Sequence, residues 1–301
     1  MWVAGAAVLK RIAAVAISAY LAVGLALFVG QDAMIFSPSD ATGAPSDERI
    51  SVGDLATADG ERLVFWQAET ATEACPTLIW FHGNAASLHL EPWRLRRILD
   101  AGLGLAAVAY RGYGGSTGAP GEAGLKLDAM AAYEAVMAEG RAAQDVVVMG
   151  TSLGSGLAVW LASERPVGAV VLEAPFLSLA AVVAQNLPFY PTDWLLRHPF
   201  RSDLAMPAVT APVLAVHGGQ DKVVPPRHSE ALLALAKGRT KRVVIEAADH
   251  NTLVRDGMFE TAVVPFLGTG NDNRAPSVDS NVIQNQFKQK RTPSKQEGGT
   301  E

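Results

Sequence analysis

The sequence predicts an α/β fold: a mostly parallel central sheet with helices on both faces, a short lid insertion, and one transmembrane helix ahead of the domain. Three observations carry this. Apolar runs of strand length alternate with helical patterns from residue 77 to the 260s, as a parallel sheet covered on both sides requires. One of those runs, Val146-Val147-Val148-Met149-Gly150-Thr151-Ser152-Leu153-Gly154-Ser155-Gly156, breaks into glycines around a serine and resumes as a helix. Residues 12–30 carry no charge, and as a helix they are long enough to cross a bilayer.

Length and composition set the bounds. A chain of 301 residues with 49% hydrophobic content buries a substantial core and reads as one domain with appendages. The net charge is −5, and Lys10 and Arg11 are the only charged residues among the first thirty. The rest is more acidic still, which argues against a nucleic-acid partner, since phosphate binding needs clustered cations. The single cysteine, Cys75, has no internal disulfide partner.

Taken in order, residues 1–11 form a short N-terminal segment ending in Lys10-Arg11, and residues 12–30 form the membrane anchor. A cleaved signal peptide is the rival reading. The run exceeds the usual apolar length of a signal peptide and no A-x-A sequence closes it, so retention is expected. The basic pair on the N-terminal side places everything after Gln31 on the non-cytoplasmic face, the periplasm in a bacterium. Residues 31–49, rich in Ser, Pro, Gly and Asp, read as a tether, and the domain occupies residues 50–267.

Within the domain, Asp59-Gly60 marks a hairpin turn, Arg62-Leu63-Val64-Phe65-Trp66 a strand and Thr77-Leu78-Ile79-Trp80-Phe81 a fully apolar strand. Further strands are expected at 104–110, 145–149, 167–172, 212–216 and 241–246. Helices are expected near 90–101 and at 122–139, 153–163, 227–237 and 253–266. Residues 174–211 are too many for one crossover helix. Their apolar and aromatic content, including Phe189, Tyr190 and Trp194, marks a lid that serves as a small packing subdomain, a substrate wall, or both. Residues 268–301 are polar and aperiodic, and disorder is expected there.

The chemistry is concentrated at strand ends. Gly150-Thr151-Ser152-Leu153-Gly154 is G-x-S-x-G between a strand and a helix, a geometry that exposes a strained serine as a nucleophile. A serine hydroxyl needs a base, and the base needs an acid to orient it. Of the six histidines, His250 in Ala248-Asp249-His250-Asn251 occupies a loop after the last expected strand. Asp221, beyond the strand ending at His217, is the best acid, with Glu173 second and Asp249 ranked low because a sequence neighbour rarely faces the ring. The oxyanion donors are expected to be the backbone amides of Leu153 and of Asn84 in Phe81-His82-Gly83-Asn84-Ala85, with His82 bracing that loop. No metal-ligand spacing and no dinucleotide signature is present, so neither a metal nor any other cofactor is expected.

These segments, together with Tyr110-Arg111-Gly112-Tyr113-Gly114-Gly115-Ser116, resemble the α/β-hydrolase superfamily, and within it the membrane-anchored serine hydrolases of the Bem46, ABHD13 and ABHD17 group. The resemblance covers about residues 50–267 and the N-terminal apolar segment. It implies the α/β-hydrolase fold and the roles given above to Ser152, Asp221, His250, Asn84 and Leu153. Ala109 departs from the pattern, since those relatives often carry an aspartate before Tyr-Arg-Gly-Tyr-Gly; that affects a loop contact outside the triad. The expected activity is hydrolysis of a carboxylic ester or thioester through an acyl-enzyme, on a lipid or an acylated protein. An acyltransferase on the same triad and a non-catalytic binding protein of this fold are the alternatives.

Overall fold

The structure, a computed structural model, describes residues 2–268; the expected disordered tail falls outside them apart from Gly268. Eight strands form one sheet: β1 (Ser51–Ala56), β2 (Arg62–Ala68), β3 (Thr77–Phe81), β4 (Gly104–Val108), β5 (Val146–Thr151), β6 (Ala169–Glu173), β7 (Val213–Gly218) and β8 (Thr240–Ile245). Their order is β1-β2-β4-β3-β5-β6-β7-β8. β2 runs antiparallel to both β1 and β4, and the remaining pairs are parallel.

The apolar runs give fully buried strands because both faces of the sheet are covered. Ile79, Val148 and Leu172 point to one side, against Leu125 and Ala129 of α3 (Glu122–Ala138) and Leu157 and Leu161 of α4 (Leu153–Glu164). Their neighbours Leu78, Trp80, Val147 and Val171 point to the other. There they meet Leu95 and Ile98 of α2 (Pro92–Asp100), and Phe259, Val263 and Phe266 near the C-terminus. The alternation of side chains along a strand therefore sorts one apolar sequence into two cores.

Two expected elements differ. The helix expected at 253–266 is a run of turns followed by a π-turn over Phe259–Val263 that continues into a last short helix, Val264–Gly268. Gly257 sits before it at φ 86°, a left-handed conformation that ends a right-handed helix. The strand expected at 104–110 stops at Val108, since Ala109 and Tyr110 turn away toward the site. β1 left no apolar signature because this edge strand is largely solvent-exposed.

The N-terminal helix α1 (Trp2–Ile35) is longer than the uncharged run in both directions. Leu9 to Ile35 forms the apolar stretch long enough to cross a membrane. The lid contains α5 (Leu179–Asn186), α6 (Thr192–Leu195) and α7 (Ser202–Ala205), and it packs along the second half of α1. Tyr20 and Tyr190 stack at 4.6 Å. The Tyr20 hydroxyl donates to the Phe189 carbonyl (2.7 Å), and the Arg197 amide donates to Gln31 Oε1 (2.7 Å). His198 accepts from the Glu122 amide at Nδ1 (3.1 Å), which leaves Nε2–H to donate to Asp32 (3.1 Å). The segment after α1 lies on the domain: Phe36 is buried, and the Gly114 amide donates to the Ser39 carbonyl (2.9 Å).

Candidate active site

The turn from β5 into α4 is built from close approaches. A Cβ on Gly154 would lie 2.2 Å from the Phe81 carbonyl oxygen, and one on Gly150 would lie 2.2 Å from the Gly154 carbonyl oxygen. No side chain fits at either position, which is the physical content of the two glycines around the serine. Ser152 between them has φ 50° and ψ −113°, a conformation that residues other than glycine rarely adopt. Backbone strain of this kind costs roughly 1–3 kcal/mol and persists where surrounding structure enforces it. Here the Ser152 amide is tied to the Glu173 carbonyl at 2.8 Å.

The structure brings together three of the expected residues. His250 Nε2 lies 3.0 Å from Ser152 Oγ, and His250 Nδ1 lies 2.7 Å from Asp221 Oδ2. An ionised carboxylate only accepts hydrogen bonds, so Nδ1 carries the proton and Nε2 is left to accept from the serine hydroxyl. Asp221 follows β7 at its carboxyl end, and its second oxygen accepts the Val223 and Val224 amides (2.9 and 2.8 Å). Burial alone would raise the Asp221 pKa; hydrogen bonds with His217 and His250 outweigh it and hold the carboxyl well below its ordinary value. His217 is fully buried, bonds the Val224 carbonyl (2.7 Å) and stands 3.4 Å from Asp221, bracing the acid from behind.

The other acids are engaged elsewhere. Glu173 makes a buried pair with Arg94 through both oxygens and accepts from Thr151 Oγ1 (3.0 Å). It therefore supports the turn beneath the serine without reaching His250. Asp249 accepts the Asn251 and Thr252 amides (2.9 and 3.1 Å) and shapes the histidine loop. Arg94 was not singled out from the sequence. The available signal was its place four residues before Ile98, on the apolar face of α2, where a cation requires a buried counter-charge.

The loop after β3 lies against the serine: a Cβ on Gly83 would be 3.9 Å from Ser152 Cβ. The Asn84 side-chain oxygen accepts from the Ser37 amide (2.9 Å) and the Tyr113 hydroxyl (3.1 Å), so that side chain holds the segment arriving from α1. Leu153 begins α4, where first-turn amides have no intrahelical partner. Arg111 joins Asp128 and Asp59, bracing its loop. No group of three or more metal-ligating side chains occurs among the described residues.

His82 is completely buried, bonds the Gly83 carbonyl (2.8 Å) and lies on the Tyr110 ring at 3.8 Å. Burial pushes its pKa down from 6.5 to about 4, with the bond to Gly83 opposing. Below about 6.5 the unfolded chain binds a proton that folded His82 refuses until about 4. Stability is thus full above the higher value and falls as pH drops through the window, by about 3 kcal/mol. In thermal melts from pH 7 to 4.5, His82→Gln should lose stability less steeply than wild type; equal slopes would contradict this.

The prolyl oligopeptidase family matches residues 117–252, which include Ser152, Asp221 and His250. Protein Rv2307c of Mycobacterium tuberculosis is 36% identical over 251 residues, 80% of this chain and 89% of that protein. Protein bem46 of Schizosaccharomyces pombe is 31% identical over 246 residues, 76% of this chain and 79% of its own. The chain belongs to the α/β-hydrolase family that includes Bem46. Among solved structures, this α/β-hydrolase shares its fold with the Pyrococcus furiosus esterase Pf2001. The TM-score is 0.64 at 20% identity, over 77% of this chain and 98% of that one.

Proposed function

We propose that the chain is a membrane-anchored serine hydrolase that cleaves carboxylic ester or thioester bonds through an acyl-enzyme. The observation that carries this reading is the line Ser152 Oγ, His250 Nε2, His250 Nδ1, Asp221 Oδ2, with gaps of 3.0 and 2.7 Å. Ser152 attacks the acyl carbon as His250 Nε2 takes its proton, and the carbonyl oxygen becomes an oxyanion held by the Leu153 and Asn84 amides. His250 returns the proton to the departing alcohol or thiol. Water, deprotonated by the same imidazole, then attacks the acyl-serine and regenerates the enzyme.

Retention of the anchor is supported by its contacts. Cleavage after the apolar run would separate Tyr20 from Tyr190 and remove the stacking and hydrogen bonds that join α1 to the lid. Lys10 and Arg11 ahead of the run favour a domain on the non-cytoplasmic side. The apolar lid favours acyl-chain substrates.

Incubation with a fluorophosphonate probe should add one phosphonyl group, located by peptide mass spectrometry on Ser152. The purified protein should also turn over acyl esters or thioesters faster than peptide amides. Absence of the adduct with no turnover would overturn the reading in favour of a binding protein, and preferred amide cleavage would make it a peptidase.

A further inference from the structure

We propose that the tip of the lid, around Phe189 and Trp194, is immersed in the acyl chains of the bilayer that α1 crosses, so that the site meets its substrate laterally from within the bilayer. This rests on the anchored-hydrolase reading above.

The argument starts from where the charges stop. Lys10 and Arg11 fix one edge of the apolar helix, because placing either at the bilayer centre costs roughly 2.5–3.5 kcal/mol on insertion scales. A hydrocarbon core of ~30 Å takes about twenty helical residues. Counted from Ile12, it reaches the level of Gln31 and Asp32. The lid, however, does not begin where that span ends. It contacts α1 at Tyr20 through the Phe189 carbonyl and the stacked Tyr190, at Gly24 through the Tyr190 ring, at Phe28 through the Arg197 guanidinium, and at Gln31 through Leu195 and Arg197. From Tyr20 to Gln31 is about 17 Å of helix. Only about 12 Å remains between Ile12 and Tyr20, too short to cross a bilayer. With α1 docked as seen and inserted, the lid tip lies within the hydrocarbon thickness.

The chemistry of the contact face suits that depth. Polar groups facing α1 are paired with one another: Tyr20 hydroxyl with Phe189 carbonyl, Tyr190 hydroxyl with Tyr20 carbonyl (3.0 Å), Gln31 amide with Leu195 carbonyl (3.2 Å). In lipid such internal pairing is required, because no water is present to satisfy a stray group. An apolar slot between helix and lid is lined by Leu27, Phe28, Val183, Leu187 and Leu196. Beside it, Phe189 and Trp194 are 84% and 90% exposed, next to a helix whose own outer face is exposed and apolar. Phe189 and Trp194 thus add apolar surface beside the anchor, and the exposed Asp193 next to Trp194 lies toward the Gln31 end, where the hydrocarbon stops. The anchor is tied to the site loop: α1 ends at Ile35, and the Ser37 amide donates to the Asn84 side chain in the loop against Ser152.

The test uses the full chain in dioleoyl phosphatidylcholine vesicles, with Cys75→Ser as background and an environment-sensitive fluorophore on Trp194→Cys. Matched labels go on Ala16→Cys in the anchor and on Val52→Cys in the exposed edge strand. Acyl-chain spin-labelled lipid should quench the labels at 194 and 16 at least about twofold more than the label at 52. Quenching at 16 with none at 194 would mean that the lid stands in water and would overturn the proposal while leaving the anchor intact. Quenching at neither would overturn the anchor as well. The Ser152 adduct, measured in the same vesicles, reports separately on the hydrolase reading. The double variant Phe189→Ser, Trp194→Ser should hydrolyse a long-chain ester embedded in the vesicles at least about tenfold more slowly, through loss of two apolar contacts with lipid. A rate on the embedded ester equal to that of wild type would overturn the proposal.

Discussion

Ser152→Ala should lower the turnover of acyl esters by a factor on the order of 10⁵ to 10⁶ and abolish labelling by a fluorophosphonate. Removing the proposed nucleophile leaves its partners with nothing to activate. Some acceleration over water should survive, because the amides proposed to hold the oxyanion, those of Leu153 and Asn84, remain. The fold should be indifferent: the side chain removed is one hydroxyl, and the strained φ of 50° at this position is enforced by Gly150, Gly154 and the bond to Glu173. A stability change below about 1 kcal/mol is expected. Turnover by this variant within tenfold of wild type, with the label still attached, would remove Ser152 from the reaction.

Asp221→Asn should cost about 10⁴-fold in turnover with only a modest loss of stability. The carboxylate accepts the proton-bearing Nδ1 of His250 at 2.7 Å, and an amide in its place turns a donor toward that nitrogen. The ring then takes the opposite tautomer, Nε2 carries the proton, and nothing is left to accept from Ser152. The remaining oxygen can still receive the Val223 and Val224 amides, so the loop should hold. Glu173→Gln is the informative control. It weakens the buried charge facing Arg94 and should cost about 3 kcal/mol of stability while leaving the triad contacts in place. The expected split is therefore rate without stability at residue 221 and stability before rate at residue 173. The reverse pattern, measured by turnover and thermal melts on both variants, would transfer the role of acid to Glu173.

Much of this was legible in the sequence because the determinants are local or periodic. The strand, turn and helix around Ser152 are written in eleven consecutive residues. The central strands are mostly apolar because both faces are buried. Gly150 and Gly154 are required by backbone approaches of 2.2 Å, so they leave a mark at fixed spacing. The edge strand β1 and the turns ahead of Phe259 left little mark. The first is exposed on both sides, and the second is set by Gly257 and by the contacts of the histidine loop.

Residues distant along the chain are another matter. The sequence by itself placed a serine, an aspartate and a histidine after β5, β7 and β8 and an apolar helix ahead of the domain, since chain order and hydrophobic period suffice for both. The tertiary structure decided that Asp221 rather than Glu173 faces His250, that Arg94 occupies Glu173 instead, and that the lid lies along α1 from Tyr20 to Gln31. Pairing between buried charges and docking of one apolar surface on another depend on distances across the fold. No local pattern encodes such distances.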